Sequence, residues 1–175
     1  MTPQPELVDL SLREFAARLA ARTPTPGGGS MAACLAACGA ALASMAFRFT
    51  SGEKFAEVEA DMTRRAQALD EARSRALELV DLDAKAYDGV TAAYGLPKAN
   101  EAEKTDRKAA IQAAMKHALE VPFETMQVAI GALRLAAEGA GAINKNLASD
   151  CAVGASCLAA AVEGAFLNVR INAGS

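Results

Sequence analysis

Long stretches of this chain repeat apolar residues every three or four positions, and short breaks rich in Gly, Pro and Asn separate them. That spacing matches the turn of an α-helix, and no segment shows the strict alternation of a half-buried strand. Alanine supplies much of the 52 % hydrophobic fraction, so neighbouring helices can approach closely. The sequence therefore predicts an all-α, multihelical fold, and its 175 residues suit a single domain over residues 1–175.

The breaks divide the chain into five predicted helices, over residues 11–22, 30–49, 55–94, 105–138 and 149–171. Ser11 and Glu14 have the spacing of a capping box, and Ser149 is placed to cap the last helix. The third helix is long for a globular protein, which predicts a long helical hairpin arm or a dimer interface. Pro122 should kink or break the fourth helix, because it removes one backbone hydrogen bond.

Residue counts argue against several classes of function. His117 is the single histidine, so one chain cannot build a Ser-His-Asp triad or a multi-histidine zinc centre. We predict no metal site, and we place His117 at the protein surface. The formal charge of −3 at pH 7 argues against a dedicated nucleic-acid partner, which would require a basic patch or stripe.

The cysteines and the N-terminus bear on the cellular compartment. Four cysteines, at positions 34, 38, 151 and 157, lie in alanine-rich runs without zinc or redox spacing, so we interpret them as buried apolar residues. Free thiols favour a reducing compartment. The first ten residues lack a signal-peptide pattern, and the least charged stretch, 31–47, is short for a membrane span. We therefore predict a cytoplasmic protein without membrane association.

A glycine turn, formed by Gly27, Gly28 and Gly29 and followed by Ser30, precedes the second predicted helix. Bare backbone N–H groups and the partial positive charge of a helix N-terminus can together hold an anion or a polar heterocycle. The turn matches neither a P-loop nor a dinucleotide-binding fingerprint. The alternative is a tight turn that only permits close helix packing.

Asp83 interrupts an apolar stripe along the third predicted helix, which consists of Ala76, Val80, position 83, Tyr87, Val90 and Tyr94. A carboxyl on a buried stripe is costly unless it is paired, and desolvation raises its pKa, which suits general acid catalysis. The alternative is a structural aspartate bonded to a neighbouring helix. Asp81 and Asp88 fall off the stripe and are interpreted as solvated charges.

Polar residues cluster before the last helix, at Asn144, Asn146, Ser149 and Asp150. Capping explains the last two residues, whereas paired asparagines offer the donor and acceptor groups that a heterocycle needs.

Asn168 and Asn172, near the end of that helix, are interpreted as C-terminal polar residues. Lys54 and Lys98 are candidate contacts for a polyanionic tail on a substrate, or else ordinary surface lysines.

Six segments, in this order and spacing, resemble the formiminotransferase-cyclodeaminase C-terminal family, which includes methenyltetrahydrofolate cyclohydrolases. They are TPTPGGGS at 23–30, Asp83 with Ala86 and Tyr87, YGLPK at 94–98, Val121 with Pro122, NKNLASD at 144–150 and NVRIN at 168–172. The resemblance implies an all-α homodimer that acts on a tetrahydrofolate derivative as substrate, with no permanently bound cofactor. It also implies that Asp83 is the proton donor and that folate, with or without a polyglutamate tail, lies near the 27–30 turn and the 144–150 loop at the subunit interface.

Two folate reactions fit these residues. The preferred one is hydrolysis of 5,10-methenyltetrahydrofolate to 10-formyltetrahydrofolate, because the chain carries no transferase domain. The alternative is the cyclodeaminase reaction, which converts 5-formiminotetrahydrofolate to the methenyl compound and releases ammonia. A helical oligomerisation module without catalysis would leave Asp83 dispensable. A folate carrier would bind tetrahydrofolate tightly and form no product.

Overall fold

A computed structural model describes residues 5–174. This part of the chain contains no strand, which confirms the all-α fold, and it forms five helices: α1 (Leu12–Leu19), α2 (Gly28–Arg48), α3 (Glu59–Tyr94), α4 (Glu101–Gly139) and α5 (Ala148–Ala173). The capping box predicted for the first helix is present, since the Ser11 hydroxyl accepts from the Glu14 backbone N–H and the Glu14 side chain accepts from the Ser11 N–H.

Helices α2 to α5 form an up-and-down bundle in which each helix runs antiparallel to the next. Ser30 at the start of α2 bonds to Asp83 late in α3, whereas Ser44 near the end of α2 bonds to Asp70 earlier in α3. Helix α5 closes the bundle by packing against both α2 and α4.

Small residues bring α2 and α5 into close contact. A Cβ built on Gly39 of α2 would lie 2.7 Å from the Gly154 carbonyl oxygen, and one built on Gly154 would lie 2.9 Å from the Gly39 carbonyl oxygen. Neither position has room for a side chain. Alanines of α2, among them Ala33, Ala36, Ala40 and Ala43, are also buried in the contacts between helices, as predicted.

The predicted hairpin arm is present as the distal part of α3 and α4. Because Asp83 lies beside Ser30, in the first turn of α2, residues 84–94 continue about 16 Å beyond that end of the bundle. Near the tip, the Arg107 guanidinium donates to the Tyr94 carbonyl oxygen at 3.0 Å. The arm forms a wall beside the N-terminal end of α2.

The fourth helix differs from its prediction in two ways. It begins at Glu101 instead of residue 105, because the Asn100 side chain accepts from the Glu103 backbone N–H at 2.9 Å and caps the helix there. It also remains a continuous α-helix through Pro122, so the predicted break is wrong. Pro122 is fully buried between the neighbouring helices, and this packing offsets the missing backbone hydrogen bond.

The prediction that Ser149 caps the last helix is also wrong. Helix α5 begins at Ala148 with Leu147 at the cap position and no side-chain cap. A short 3-10 turn, Lys145–Leu147, leads directly into it, and the Asn144 side chain caps that turn by accepting from the Asn146 backbone N–H. Ser149 therefore lies inside the first turn of α5.

Two helices, α2 and a segment that includes α5, are long and apolar enough to cross a membrane by length and composition. The prediction that the stretch 31–47 is too short to span a membrane is therefore wrong, since α2 has 21 residues. In α2, however, 61 % of the apolar window is buried inside the bundle, as expected for a core helix, whereas only 22 % is buried in the second segment.

Candidate functional site

A cavity of about 400 Å³ lies at the end of the bundle where α2 begins and α5 ends, against the wall of the α3–α4 arm. Asp83, Tyr87, Val90 and Tyr94 of α3 form one side of the cavity. Tyr87 and Tyr94 are 47 % and 52 % exposed, so the distal part of the stripe lines this cavity and is not part of the core. The remaining lining comes from the glycine turn, α4 and α5: Pro24, Thr25, Gly27, Gly28, Gly29, Met115, Ala118, Asn168, Ile171 and Asn172.

The Asp83 carboxyl is the acidic side chain among the residues that line this cavity. It is half-buried and accepts a hydrogen bond from the Ser30 hydroxyl at 2.8 Å. Burial raises the pKa of Asp83 above its ordinary value, and hydrogen bonds from the Ser30 hydroxyl and backbone offset part of that rise. Asp83, which interrupts the apolar stripe of the sequence, therefore retains its proton more readily than an ordinary aspartate.

The glycine turn is shaped around Asp83. A Cβ on Gly29 would lie 2.5 Å from the Asp83 Cγ, and one on Gly28 would lie 3.1 Å from the Asn168 Nδ2. Glycine is required here so that the carboxyl can approach the backbone at the N-terminal turn of α2. Ser30 is fully buried and does not face the cavity, so its hydroxyl bonds to Asp83 on the side of the carboxyl away from the cavity.

The second predicted cluster lies at the opposite end of α2. The Asn144 backbone N–H donates to the Thr50 hydroxyl at 2.9 Å, and the Asn144 side chain donates to the Phe49 carbonyl oxygen at 3.4 Å. Helix α2 is about 30 Å long, and this distance separates the two clusters. The 144–150 loop and the first turn of α5 therefore do not line the cavity of their own chain. These segments carry the predicted site residues Asn144, Asn146, Ser149 and Asp150.

The two predicted lysines lie apart from each other. Lys54 is exposed near the far end of α2, with its ammonium group 5.6 Å from the centre of the Phe55 ring. Lys98 lies at the arm tip and lines a depression of about 340 Å³ together with Lys104, Arg107 and Lys108. The Arg107 guanidinium stacks over the Tyr94 ring at 5.6 Å, which connects this basic depression to the cavity.

Asp81 is not the solvated charge that the sequence suggested. It is 7 % exposed and accepts from the backbone N–H groups of Leu7 at 2.6 Å and Val8 at 3.4 Å. It holds the N-terminal segment against α3, on a different side of the helix from the cavity. Asp88 is exposed, as predicted.

The cysteines are less uniformly buried than predicted. Cys151 is buried, Cys34 and Cys157 are half-buried, and Cys38 is exposed; all four are free thiols. Burial raises the pKa of the Cys34 thiol to about 11, which keeps it protonated. No group of three His, Cys, Asp or Glu side chains suited to a metal ion occurs within residues 5–174.

The main residues underestimated from the sequence are Asn168 and Asn172. Both line the cavity opposite Asp83, whereas the sequence suggested polar C-terminal residues. Two asparagines one turn apart near the end of a largely apolar helix were the available signal, but the position of α5 against α2 was needed to interpret it.

Comparison with known proteins supports the resemblance found in the sequence. A family model described as formiminotransferase-cyclodeaminase matches residues 11–175. The methenyltetrahydrofolate cyclohydrolase of Methylorubrum extorquens is 39 % identical over 164 residues, which cover 93 % of this chain and 79 % of the relative. The formimidoyltransferase-cyclodeaminase of Rattus norvegicus is 37 % identical over 97 % of this chain, but the match spans 32 % of the rat protein.

A solved structure has the same fold. The crystal structure of formiminotetrahydrofolate cyclodeaminase from Thermotoga maritima superposes with a TM-score of 0.84 and 35 % sequence identity. The match covers 97 % of this chain and 81 % of that one.

Proposed function

Because this chain belongs to the formiminotransferase-cyclodeaminase family, we propose that it is a folate one-carbon enzyme that hydrolyses 5,10-methenyltetrahydrofolate to 10-formyltetrahydrofolate. The observation that carries this proposal is the Asp83 carboxyl, which has a raised pKa and faces an aromatic-walled cavity large enough for a bicyclic ring. Tetrahydrofolate serves as substrate, and the proposal requires no permanently bound cofactor.

The chemistry needs one well-placed acid. Water attacks the cationic carbon that bridges N5 and N10 and loses one proton to the solvent, which leaves a hydroxyl on that carbon. The C–N5 bond then breaks as N5 gains a proton, and the hydroxyl loses its proton to become the formyl oxygen, so that one proton is released overall. Asp83 in its protonated form supplies the proton to N5, which is general acid catalysis. The cavity walls hold the ring in place, so that the attacking water and the acid act on a fixed geometry.

A second candidate reaction uses the same acid. In a cyclodeaminase, N10 attacks the carbon of the protonated formimino group on N5 and gives up its own proton. The departing NH₂ group then takes a proton and leaves as ammonia as the methenyl bridge forms. The similarity to the Thermotoga maritima structure and the rat relative supports this alternative. The similarity to the cyclohydrolase over 79 % of that relative's length favours hydrolysis.

We propose that the enzyme is a homodimer joined through α5. Val153 and Leu167 lie 14 positions apart on the same side of this helix and are 54 % and 60 % exposed, and a second copy of the chain would cover them. A helix that lies across a two-fold axis meets its own copy in antiparallel orientation. The 144–150 loop of one subunit would then lie beside the end of α5 in the other, next to the glycine turn.

This arrangement would unite the two clusters that one chain keeps apart. Asn144, Asn146, Ser149 and Asp150 from one subunit would complete the substrate contacts around Asp83 of its partner. Lys54 lies at the same end of α2 as the loop and is proposed to contact the substrate there.

The basic depression at the arm tip suits the glutamate portion of the substrate. Lys98 and Lys108 have no carboxylate within ion-pair distance among the described residues, whereas Lys104 is paired with Glu101 at 2.6 Å. A ring in the cavity would direct its tail past Tyr94 towards these cations. We therefore propose that Lys98 binds tail carboxylates, including those of polyglutamate.

We also propose a cellular compartment and partners for the protein. Four free thiols support a reducing, cytoplasmic compartment. The partners proposed are folate and a second copy of the chain, with neither nucleic acid nor a membrane.

A spectroscopic assay tests the proposed activity. Purified protein is added to 5,10-methenyltetrahydrofolate, loss of its near-ultraviolet band is followed, and spontaneous hydrolysis is subtracted. Accelerated loss that disappears in Asp83→Asn is expected. No acceleration, with ammonia released from 5-formiminotetrahydrofolate, would assign the cyclodeaminase reaction instead, and no activity on either substrate would refute the enzyme proposal.

A further inference from the structure

Asn168 and Asn172 stand in the cavity wall opposite Asp83, and the proton transfer proposed above uses neither of them. They lie one turn apart on α5, and both are half-buried. Positions i and i+4 of a helix place their side chains side by side on one face. Two carboxamides therefore face the same cavity in fixed relation to each other.

Hydrogen bonds fix the orientation of both amides. The Asn168 Nδ2 donates to the Gly164 carbonyl oxygen at 2.8 Å, and the Asn172 Nδ2 donates to the Ala118 carbonyl oxygen at 2.6 Å. A backbone carbonyl can only accept, so in each case the NH₂ group must point to the backbone. The two amide oxygens have no hydrogen-bond donor among residues 5–174. The cavity therefore presents two oriented acceptors.

We propose that Asn168 and Asn172 are substrate-positioning residues whose side-chain oxygens accept hydrogen bonds from the amino and ring N–H donors of the pterin. This inference rests on the proposed function, since it assumes that a tetrahydrofolate ring occupies the cavity. The pterin ring carries its 2-amino group and ring N–H groups along one edge, and that edge needs acceptors. Because Asn168 and Asn172 of α5 would bind the pterin N–H groups, the Asp83 carboxyl on the opposite wall would face the one-carbon unit.

The geometry also sets specificity. A site built to accept from a substrate N–H discriminates against an analogue that lacks this donor, because a half-buried acceptor is left without a partner. A ligand whose 2-amino group is replaced by methyl should therefore bind about tenfold more weakly than its parent.

A binding cycle between protein and ligand tests the proposal. The probes are 5-formyltetrahydrofolate and its 2-desamino-2-methyl analogue, with dissociation constants measured by fluorescence titration. Wild type should prefer the amino ligand about tenfold, and Asn172→Leu should bind both ligands with Kd values within about twofold of each other. With 5,10-methenyltetrahydrofolate, the same variant should raise KM about tenfold and leave kcat nearly unchanged.

A matched control and a second variant keep the outcomes distinct. Gln127→Leu makes the same kind of exchange on an exposed face of α4 away from the cavity, and the tenfold preference should persist. Asn168→Ala is taken through the same cycle as a second variant. An undiminished preference in both asparagine variants, when folded, would overturn this inference alone, whereas a wild type that binds neither probe would overturn the proposed function as well.

Discussion

At the scale of single residues, the protonation of Asp83 links the proposed activity to stability. Burial raises the folded-state pKa of Asp83, so its contribution to stability is present below the unfolded pKa and is lost as pH rises through the folded pKa. Asp83→Asn keeps the size and shape of the side chain and removes its negative charge. Turnover should fall by about 10²–10⁴, while the melting temperature at pH 7 should be at least that of wild type.

The pH dependence of this difference provides the check. The margin by which Asp83→Asn exceeds wild type in thermal unfolding should widen as pH rises between the unfolded and folded pKa values. Full turnover in the variant would show that Asp83 is not the acid.

Ser30 should tune that acid. Its hydroxyl donates to the Asp83 carboxylate at 2.8 Å, and this bond lowers the pKa of Asp83. In Ser30→Ala the pKa should rise further, so the limb of the pH–kcat/KM profile that belongs to Asp83 should move to higher pH.

The same helix supplies the control for Ser30. Ser44 is also buried and its hydroxyl also bonds to an aspartate, Asp70, but it lies away from the cavity. Ser44→Ala should reduce stability without moving the profile. A shift of equal size in both variants would contradict the role given to Ser30.

At the scale of helices, alanine substitutions at two glycines should have opposite effects on stability. A Cβ on Gly29 would overlap the Asp83 carboxyl, so Gly29→Ala should cost about 1–3 kcal/mol of stability and most of the activity. A Cβ on Gly131 in α4 would meet no atom within 4 Å, so Gly131→Ala should stabilise the protein by about 0.5–1 kcal/mol. Denaturant unfolding measures both effects, and a stable, active Gly29→Ala variant would contradict the close approach described here.

Helix periodicity explains what could be predicted and what could not. The stripe through Asp83 is a local pattern, so it correctly indicated both the helix and its unusual carboxyl. The cap at Asn100 was missed because residues 101–104 are mostly charged, and charged residues suit a loop as well as the first turn of a helix. Pro122 is tolerated only because tertiary packing surrounds it. The roles of Asn168 and Asn172 depend on how α5 lies against α2 and α4, which one helix does not encode.

At the scale of the whole molecule, the exposed face of α5 should control assembly. Leu167→Glu places a charge on the proposed interface and should convert the dimer to monomer in size-exclusion chromatography with light scattering. Leu12→Glu, at a side chain that is 82 % exposed on α1, should leave the mass unchanged. A monomeric wild type would refute the homodimer.

The separation of the two polar clusters by the length of α2 has a genetic consequence. If each site borrows the 144–150 loop from its partner, Asp83→Asn and Asn146→Ala damage different halves of the same site. Co-expressing two such inactive chains would give mixed dimers in which one site carries both defects and the other carries none. Random pairing would then restore about a quarter of wild-type activity, so two inactive alleles would complement each other. Selection on such a protein would act on the pair of chains, because neither carries a complete site alone.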